Sequence, residues 1–127
     1  MKIDKVDEIR NLVLMINQEN ISIIVEGRND VLALREIGIN TNIYPVKEIV
    51  RNNKCSLVEF IEYVSKKSKK FLILTDFDDE GKRIAKKLAS LLSQRNVSLQ
   101  SSLRKRIIRL MKKQSVTIEG FKKVFCY

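Results

Sequence analysis

The fold is decided by residues 71–81, which read Phe71-Leu72-Ile73-Leu74-Thr75-Asp76-Phe77-Asp78-Asp79-Glu80-Gly81. The first half of this stretch carries no charge, and the second half is strongly acidic. An apolar run of this length is typical of a parallel β-strand covered by helices on both faces. A second run, Ser22-Ile23-Ile24-Val25, leads in the same way into Glu26-Gly27-Arg28-Asn29-Asp30. The chain therefore contains two predicted buried strands, each followed at once by acids.

Helical spacing of apolar residues recurs around these two strands. It predicts helices over residues 4–19, from Asp30 to a stop at Gly38, over 56–65 with Ser56 as N-cap, after the acidic turn at 76–80, and over 103–113. Two further strands are predicted at residues 42–46 and 97–100. This alternation indicates an α/β fold with a small, mainly parallel four-stranded sheet flanked by helices.

The length of 127 residues suits one domain over residues 1–127, with a core at about 20–113, an N-terminal helix and a short C-terminal helical tail. The apolar runs are too short to cross a bilayer, and the N-terminus lacks the apolar segment of a secretory signal. We therefore expect a cytoplasmic protein with no membrane partner. Two cysteines and no histidine provide too few ligands for an ordinary zinc site.

Charge is distributed unevenly along the chain, whose net charge is +10. Residues 1–81 carry 12 basic and 14 acidic side chains, a net of −2, whereas residues 82–127 carry 13 and 1, a net of +12. Such a basic half attracts polyanions, of which nucleic acid is the commonest. The alternative is a solvated lysine-rich surface of the kind found in heat-adapted proteins.

The two acidic turns would meet at one edge of the sheet if their strands are parallel neighbours. Crowded carboxylates repel unless a cation neutralises them, so Glu26, Asp76 and Asp78 predict a divalent metal site that suits Mg²⁺. Glu26 either transfers a proton at a phosphate or binds the metal. Gly27 and Gly81 would permit a tight turn and close backbone approach. Alternatively, Asp30 and residues 78–80 simply cap the helices that follow.

The residues 25–30 resemble the E-G-x-x-D element of the toprim family, and residues 75–81 resemble its D-x-D-x-x-G element. The resemblance implies a Rossmann-like sheet, Mg²⁺ at Asp76 and Asp78 with Mn²⁺ as a substitute, and Glu26 as general acid or base. A third acid at Glu80 is similar to the topoisomerase form, whereas Asp79 departs from the basic residue often found at its position. Most similar are small stand-alone toprim proteins of archaea and some bacteria, described as primase-like or ribonuclease-like.

Basic side chains follow the second acidic turn at helical spacings. The candidate nucleic-acid contacts are Lys82, Arg83, Lys86, Lys87, Arg104, Lys105, Arg106, Arg109, Lys112 and Lys113. Stripes of this kind can follow a phosphate backbone with little sequence selectivity. Arg28 would either contact the reacting phosphate or balance the neighbouring acids. Aromatic residues are too few to indicate a stacking platform for single strands.

Acids beside basic stripes predict a Mg²⁺-dependent nuclease, with RNA favoured over DNA as substrate. The alternative is a nucleic-acid-binding toprim subunit or scaffold that is not itself catalytic and acts with a partner protein or as a homodimer. A topoisomerase or a complete primase would need further domains, for which 127 residues leave no room.

Overall fold

The structure, a computed structural model, describes residues 5–75 and 78–111, with the side chains of residues 5, 6 and 111 left out. Its elements follow in the order α1 (Lys5–Gln18), β1 (Ser22–Val25), α2 (Arg28–Glu36), β2 (Ile43–Pro45), α3 (Val46–Asn53), α4 (Leu57–Lys67), β3 (Lys70–Ile73), α5 (Asp79–Leu92), β4 (Ser98–Leu99) and α6 (Ser101–Met111). The predicted C-terminal tail lies outside the described residues. Within them, no helix combines the length and the apolar character needed to cross a bilayer.

The four strands form one sheet in the order β2-β1-β3-β4, and every neighbouring pair is parallel. In the central pair Ile24 lies opposite Ile73, and the Leu74 N–H donates to the Ile24 carbonyl at 2.8 Å. The predicted parallel α/β sheet is therefore confirmed.

Helices cover both faces of this sheet, and alternate strand residues point to opposite layers. Ile23, Val25 and Leu72 pack with α1, α2 and α6, whereas Ile24 and Phe71 pack with α4 and α5. The strand residues of both layers are fully buried. This double cover explains why β1 and β3 are continuous apolar runs, since neither face meets water.

The strand order creates a crevice between β1 and β3. From β1 the chain crosses through α2 on one face to β2, and from β3 it crosses through α5 on the opposite face to β4. The two crossovers therefore diverge from the central pair of strands. In open α/β sheets, ligands bind beyond the carboxyl ends of two neighbouring strands whose crossovers diverge in this way.

Helix α3 was not predicted, because its apolar signal is short and directly follows Pro45. Val46 is its one fully buried residue, and the helix ends after eight residues at Lys54, which has a left-handed φ of 50°. Other helix ends agree with the sequence: Ser56 and Glu59 form a capping box, and Gly38 has the left-handed φ of 105° that stops the segment after α2. The unexpected helix matters because its first turn faces the acids.

Candidate functional site

The carboxyl ends of β1 and β3 lie side by side at the crevice. Glu26 and Thr75 each lie two residues beyond the paired Ile24 and Ile73, so the two acidic turns start at the same edge of the sheet. The Glu26 side chain is 13% exposed. A carboxylate this enclosed requires hydrogen bonds or a cation, because it has lost most of its water.

Lys47, from the first turn of α3, supplies that cation. Its Nζ lies 3.2 Å from Glu26 Oε2 and 3.1 Å from Glu80 Oε1, while its backbone N–H donates to the Glu26 carbonyl at 3.0 Å. Hydrogen bonds to Glu80 and then to Glu26 raise the Lys47 pKa above its ordinary 10.5. On the alkaline side, the raised pKa means that these ion pairs persist up to pH 10.5 and are lost only as the pH rises through the raised value.

Two of the other acids cap helices. Asp30 Oδ2 accepts from the Gly27 N–H at 3.2 Å at the start of α2, and Asp78 Oδ1 accepts from the Gly81 N–H at 2.8 Å at the start of α5. The capping interpretation of the sequence therefore holds for both residues. Because each cap uses a single oxygen, Asp78 can cap α5 and still bind a cation through its other oxygen.

The acidic edge, defined as Glu26, Asp78 and Glu80, brings two carboxylates to one positive charge. Glu26 directly follows β1, Glu80 lies in the first turn of α5, and both side chains contact the ammonium group of Lys47. Asp76 lies outside the described residues; within the described ones, no three acidic or other ligating side chains cluster closely enough to hold a metal. Two converging carboxylates with a third acid in the same loop match the oxygen donors that Mg²⁺ prefers.

Thr75 fixes the acidic turn to the sheet. Its hydroxyl is fully buried and donates to the Gly81 carbonyl at 2.7 Å, which joins the end of β3 to the first turn of α5. The turn that contains Asp78 and Glu80 is thereby closed by a hydrogen bond from its first to its last residue.

Replacing Thr75 by valine, which has nearly the same shape, should lower the free energy of unfolding by about 1–3 kcal/mol, since a buried hydrogen bond is lost. Urea unfolding measures the change. Thr41→Val is the matched control, because the buried Thr41 hydroxyl has no hydrogen-bond partner among the described residues. Equal effects of the two substitutions would contradict a special role for Thr75.

A basic groove begins immediately beyond the acidic turn. It has a volume of about 400 Å³ and lies between α5 and α6 beyond the ends of β3 and β4. Its floor is apolar, with Ile73, Ala85 and Ile108 among the lining residues. Its basic side chains are Lys82, Lys86, Arg104 and Lys105. Lys82 directly follows Gly81, so the groove adjoins the acidic edge.

Comparison with known proteins identifies the family. The Toprim domain family model matches residues 22–110 of this sequence. The chain belongs to the toprim domain family. Toprim domains bind Mg²⁺ through acidic residues, and membership gives the protein a metal-dependent function related to nucleic acids.

Several archaeal proteins are similar to this toprim chain along most of its length. A UPF0292 protein of Thermococcus gammatolerans is 34% identical over 98 residues, which are 77% of this chain and 68% of the relative. A UPF0292 protein of Thermococcus sibiricus is 31% identical over 111 residues, or 87% and 82% of the two chains. A protein of solved structure from Aquifex aeolicus has a TM-score of 0.67 at 23% identity over 86% of this chain and 94% of its own, a likeness that shows the fold alone.

The glycines of the two toprim elements do not form the tight turns expected from the sequence. Gly27 has an extended φ of −145°, which any residue adopts, and a Cβ there would meet nothing within 4 Å. Gly81 lies within helix α5 and is buried. Gly27 is therefore distinguished by the open space beside it and not by a backbone conformation that favours glycine.

The predicted basic residues divide into groups. Within α5, Lys82 and Lys86 line the groove, whereas the exposed Arg83 and Lys87 do not. Arg109 lines a smaller neighbouring hollow with Lys105, and Arg106 is exposed elsewhere on α6. Lys112 and Lys113 lie outside the described residues. Arg28 is exposed, and no carboxylate within the described ranges lies within 4 Å of it, so the structure gives no support for charge balancing.

Arg104 differs from the other basic residues because it is tied to the sheet. Its Nη1 donates to the Ile73 carbonyl at 2.6 Å, at the end of β3. Burial lowers the pKa of its guanidinium below the ordinary value of an arginine. Arg104 thus holds α6 against β3 and positions one wall of the groove.

Lys47 and Thr75 are the two site residues that the sequence did not reveal as such. The one available signal for Lys47 was its position in the first turn of a helix, where a cation is unfavourable and needs a local partner. Because α3 itself was not predicted, that signal was not visible. Thr75 is the first residue of the second toprim element, residues 75–81, but its partner is the backbone carbonyl of Gly81, which no sequence pattern reveals.

Proposed function

We propose that this toprim protein is a metal-dependent nuclease that hydrolyses phosphodiester bonds, with RNA as the preferred substrate. The observation that carries the proposal is the convergence of Glu26 and Glu80 on a single cation at the crevice between β1 and β3. The basic groove starts at the next residues along the chain. A place for a cation thus adjoins a surface for a polyanion.

Mg²⁺ would be held by carboxylates of the acidic edge together with Asp76, and Mn²⁺ would substitute. When bound, the metal supplies charge neutralisation at the phosphate and orientation of its oxygens. Glu26 is the proposed proton-transfer residue, since it is the most enclosed carboxylate of the acidic edge and directly follows β1. Arg28, exposed at the start of α2 beside the open space at Gly27, is proposed to contact the reacting phosphate.

The substrate backbone is proposed to run from the acidic edge along the groove. Lys82 and Lys86 contribute from α5 and Lys105 from α6, so the cations come from both walls. Contacts of this kind bind phosphates without reading bases, which predicts strong salt dependence and weak sequence selectivity. RNA is proposed as the preferred substrate over DNA because the sequence resembles ribonuclease-like stand-alone toprim proteins.

A second candidate function is a nucleic-acid-binding scaffold that works with a partner protein or as a homodimer. The ion pairs of Lys47 favour it, because one ammonium group offsets part of the charge of Glu26 and Glu80 without any metal. A chain whose acids are partly balanced in this way can keep the toprim fold and the basic groove without performing chemistry.

One assay separates the two functions. The purified protein is incubated with end-labelled structured RNA, single-stranded RNA, and single- and double-stranded DNA, in Mg²⁺, Mn²⁺ or EDTA. The nuclease proposal predicts cleavage of RNA in either metal and none in EDTA. Tight, salt-dependent binding without products in all metals would favour the scaffold, and cleavage of DNA alone would overturn the RNA preference.

A further inference from the structure

Lys47 occupies a position that helix formation alone does not favour. It is the second residue of α3, where the positive end of the helix dipole disfavours a cation. Its backbone is held to the end of β1 by the hydrogen bond to the Glu26 carbonyl. Its side chain joins Glu26, which directly follows β1, to Glu80 of α5. The arrangement of charge, rather than the stability of α3, accounts for a lysine here.

We propose that Lys47 is an exchangeable counter-cation of the acidic edge: it holds Glu26 and Glu80 in the metal-free protein, and a divalent metal displaces it toward a substrate phosphate. Only the movement of Lys47 toward a substrate phosphate rests on the proposed function. The competition of Lys47 and a metal for Glu26 and Glu80 does not depend on it.

Exposure of the three side chains indicates that the exchange is feasible. Lys47 and Glu80 are 51% and 61% exposed, so their ion pair is screened by water and readily broken. Glu26 is only 13% exposed, so its carboxylate gains more from a neighbouring cation than an exposed carboxylate does. A lysine on a flexible stem can give way to a metal at Glu26 while the carboxylate remains neutralised throughout.

The test measures Mn²⁺ affinity directly, by the loss of the free-ion electron paramagnetic resonance signal, without any substrate. Lys47→Gln should bind Mn²⁺ about three- to tenfold more tightly than the wild type, because breaking exposed ion pairs opposes metal binding by roughly this factor. Lys47→Arg keeps the competing charge and should bind Mn²⁺ no more tightly than the wild type. Arg51→Gln, which removes a charge from the exposed face of the same helix, is the matched control and should change the affinity less than twofold.

Unchanged or weaker Mn²⁺ binding by Lys47→Gln would overturn the inference, as would tighter binding by Lys47→Arg or by Arg51→Gln to the same degree. Absence of Mn²⁺ binding in both the wild type and Lys47→Gln would also overturn it. If Lys47→Gln does not fold, the result for Lys47→Arg decides. The proposed nuclease is tested separately: tighter Mn²⁺ binding by Lys47→Gln with no cleavage by the wild type supports the exchange and rejects the nuclease.

Discussion

Replacement of Glu26 by glutamine is expected to lower the rate of metal-dependent RNA cleavage by about 100- to 10,000-fold, the range that proton transfer by a positioned side chain contributes. Glutamine keeps the size of the side chain, and its oxygen can still accept from Lys47. It removes the negative charge and the ability to take a proton. Single-turnover cleavage of end-labelled RNA in Mg²⁺ measures the effect.

The control for this substitution is Glu62→Gln, which removes one negative charge from α4 and breaks an exposed ion pair with Arg95. Its cleavage rate should equal that of the wild type, because it lies on a different helix and belongs to no part of the acidic edge. A folded Glu26→Gln protein that cleaves as fast as Glu62→Gln would exclude Glu26 from the chemistry.

Neutralising the groove should produce the largest change in binding. The triple substitution Lys82→Gln, Lys86→Gln and Lys105→Gln should weaken RNA binding by about 100-fold at 0.1 M salt and reduce the salt slope by roughly two to three, since each lost phosphate contact lowers the slope by about 0.7–0.9. Fluorescence anisotropy with a labelled single-stranded RNA across a salt series gives both quantities.

A matched triple substitution distinguishes the groove from net charge. Lys66→Gln, Lys67→Gln and Lys69→Gln remove the same charge from an exposed segment at the end of α4. This variant should bind RNA within a few-fold of the wild type. Equal losses in the two triple variants would show that binding follows the total charge and not the groove between α5 and α6.

The sequence predicted most of the fold because β1 and β3 carry their own signal. A strand buried on both faces is a continuous apolar run, and each of these runs ends at an acidic turn. The order of the elements and the shared edge of the two turns then followed from the rules for parallel sheets. Helix α3 was missed because it is short, begins after Pro45 and buries only Val46 completely.

The site was predicted less completely, since its contacts join distant parts of the chain. Glu26, Lys47 and Glu80 come from three separate elements and meet only after the sheet has formed. The sequence predicted Asp78 as a metal ligand and Asp30 as a structural residue of its motif, with helix capping as the alternative, and the structure shows that both cap their helices. The local sequence pattern thus located the acidic edge, whereas the ion pairs among Glu26, Lys47 and Glu80 are visible only in the folded structure.

The proposed metal-dependent phosphodiester site at the acidic turn after β3 is tested most directly by Asp76→Asn with Asp78→Asn. Asparagine caps helices as well as aspartate does, so the cap of α5 at the Gly81 N–H is kept while both negative charges are removed. The measurement is cleavage of labelled RNA by the wild type and the double variant in Mg²⁺, each compared with EDTA. We expect cleavage by the wild type in Mg²⁺ alone and none by the folded double variant; equal cleavage by both proteins, or cleavage that persists in EDTA, would contradict a metal-dependent site at this turn.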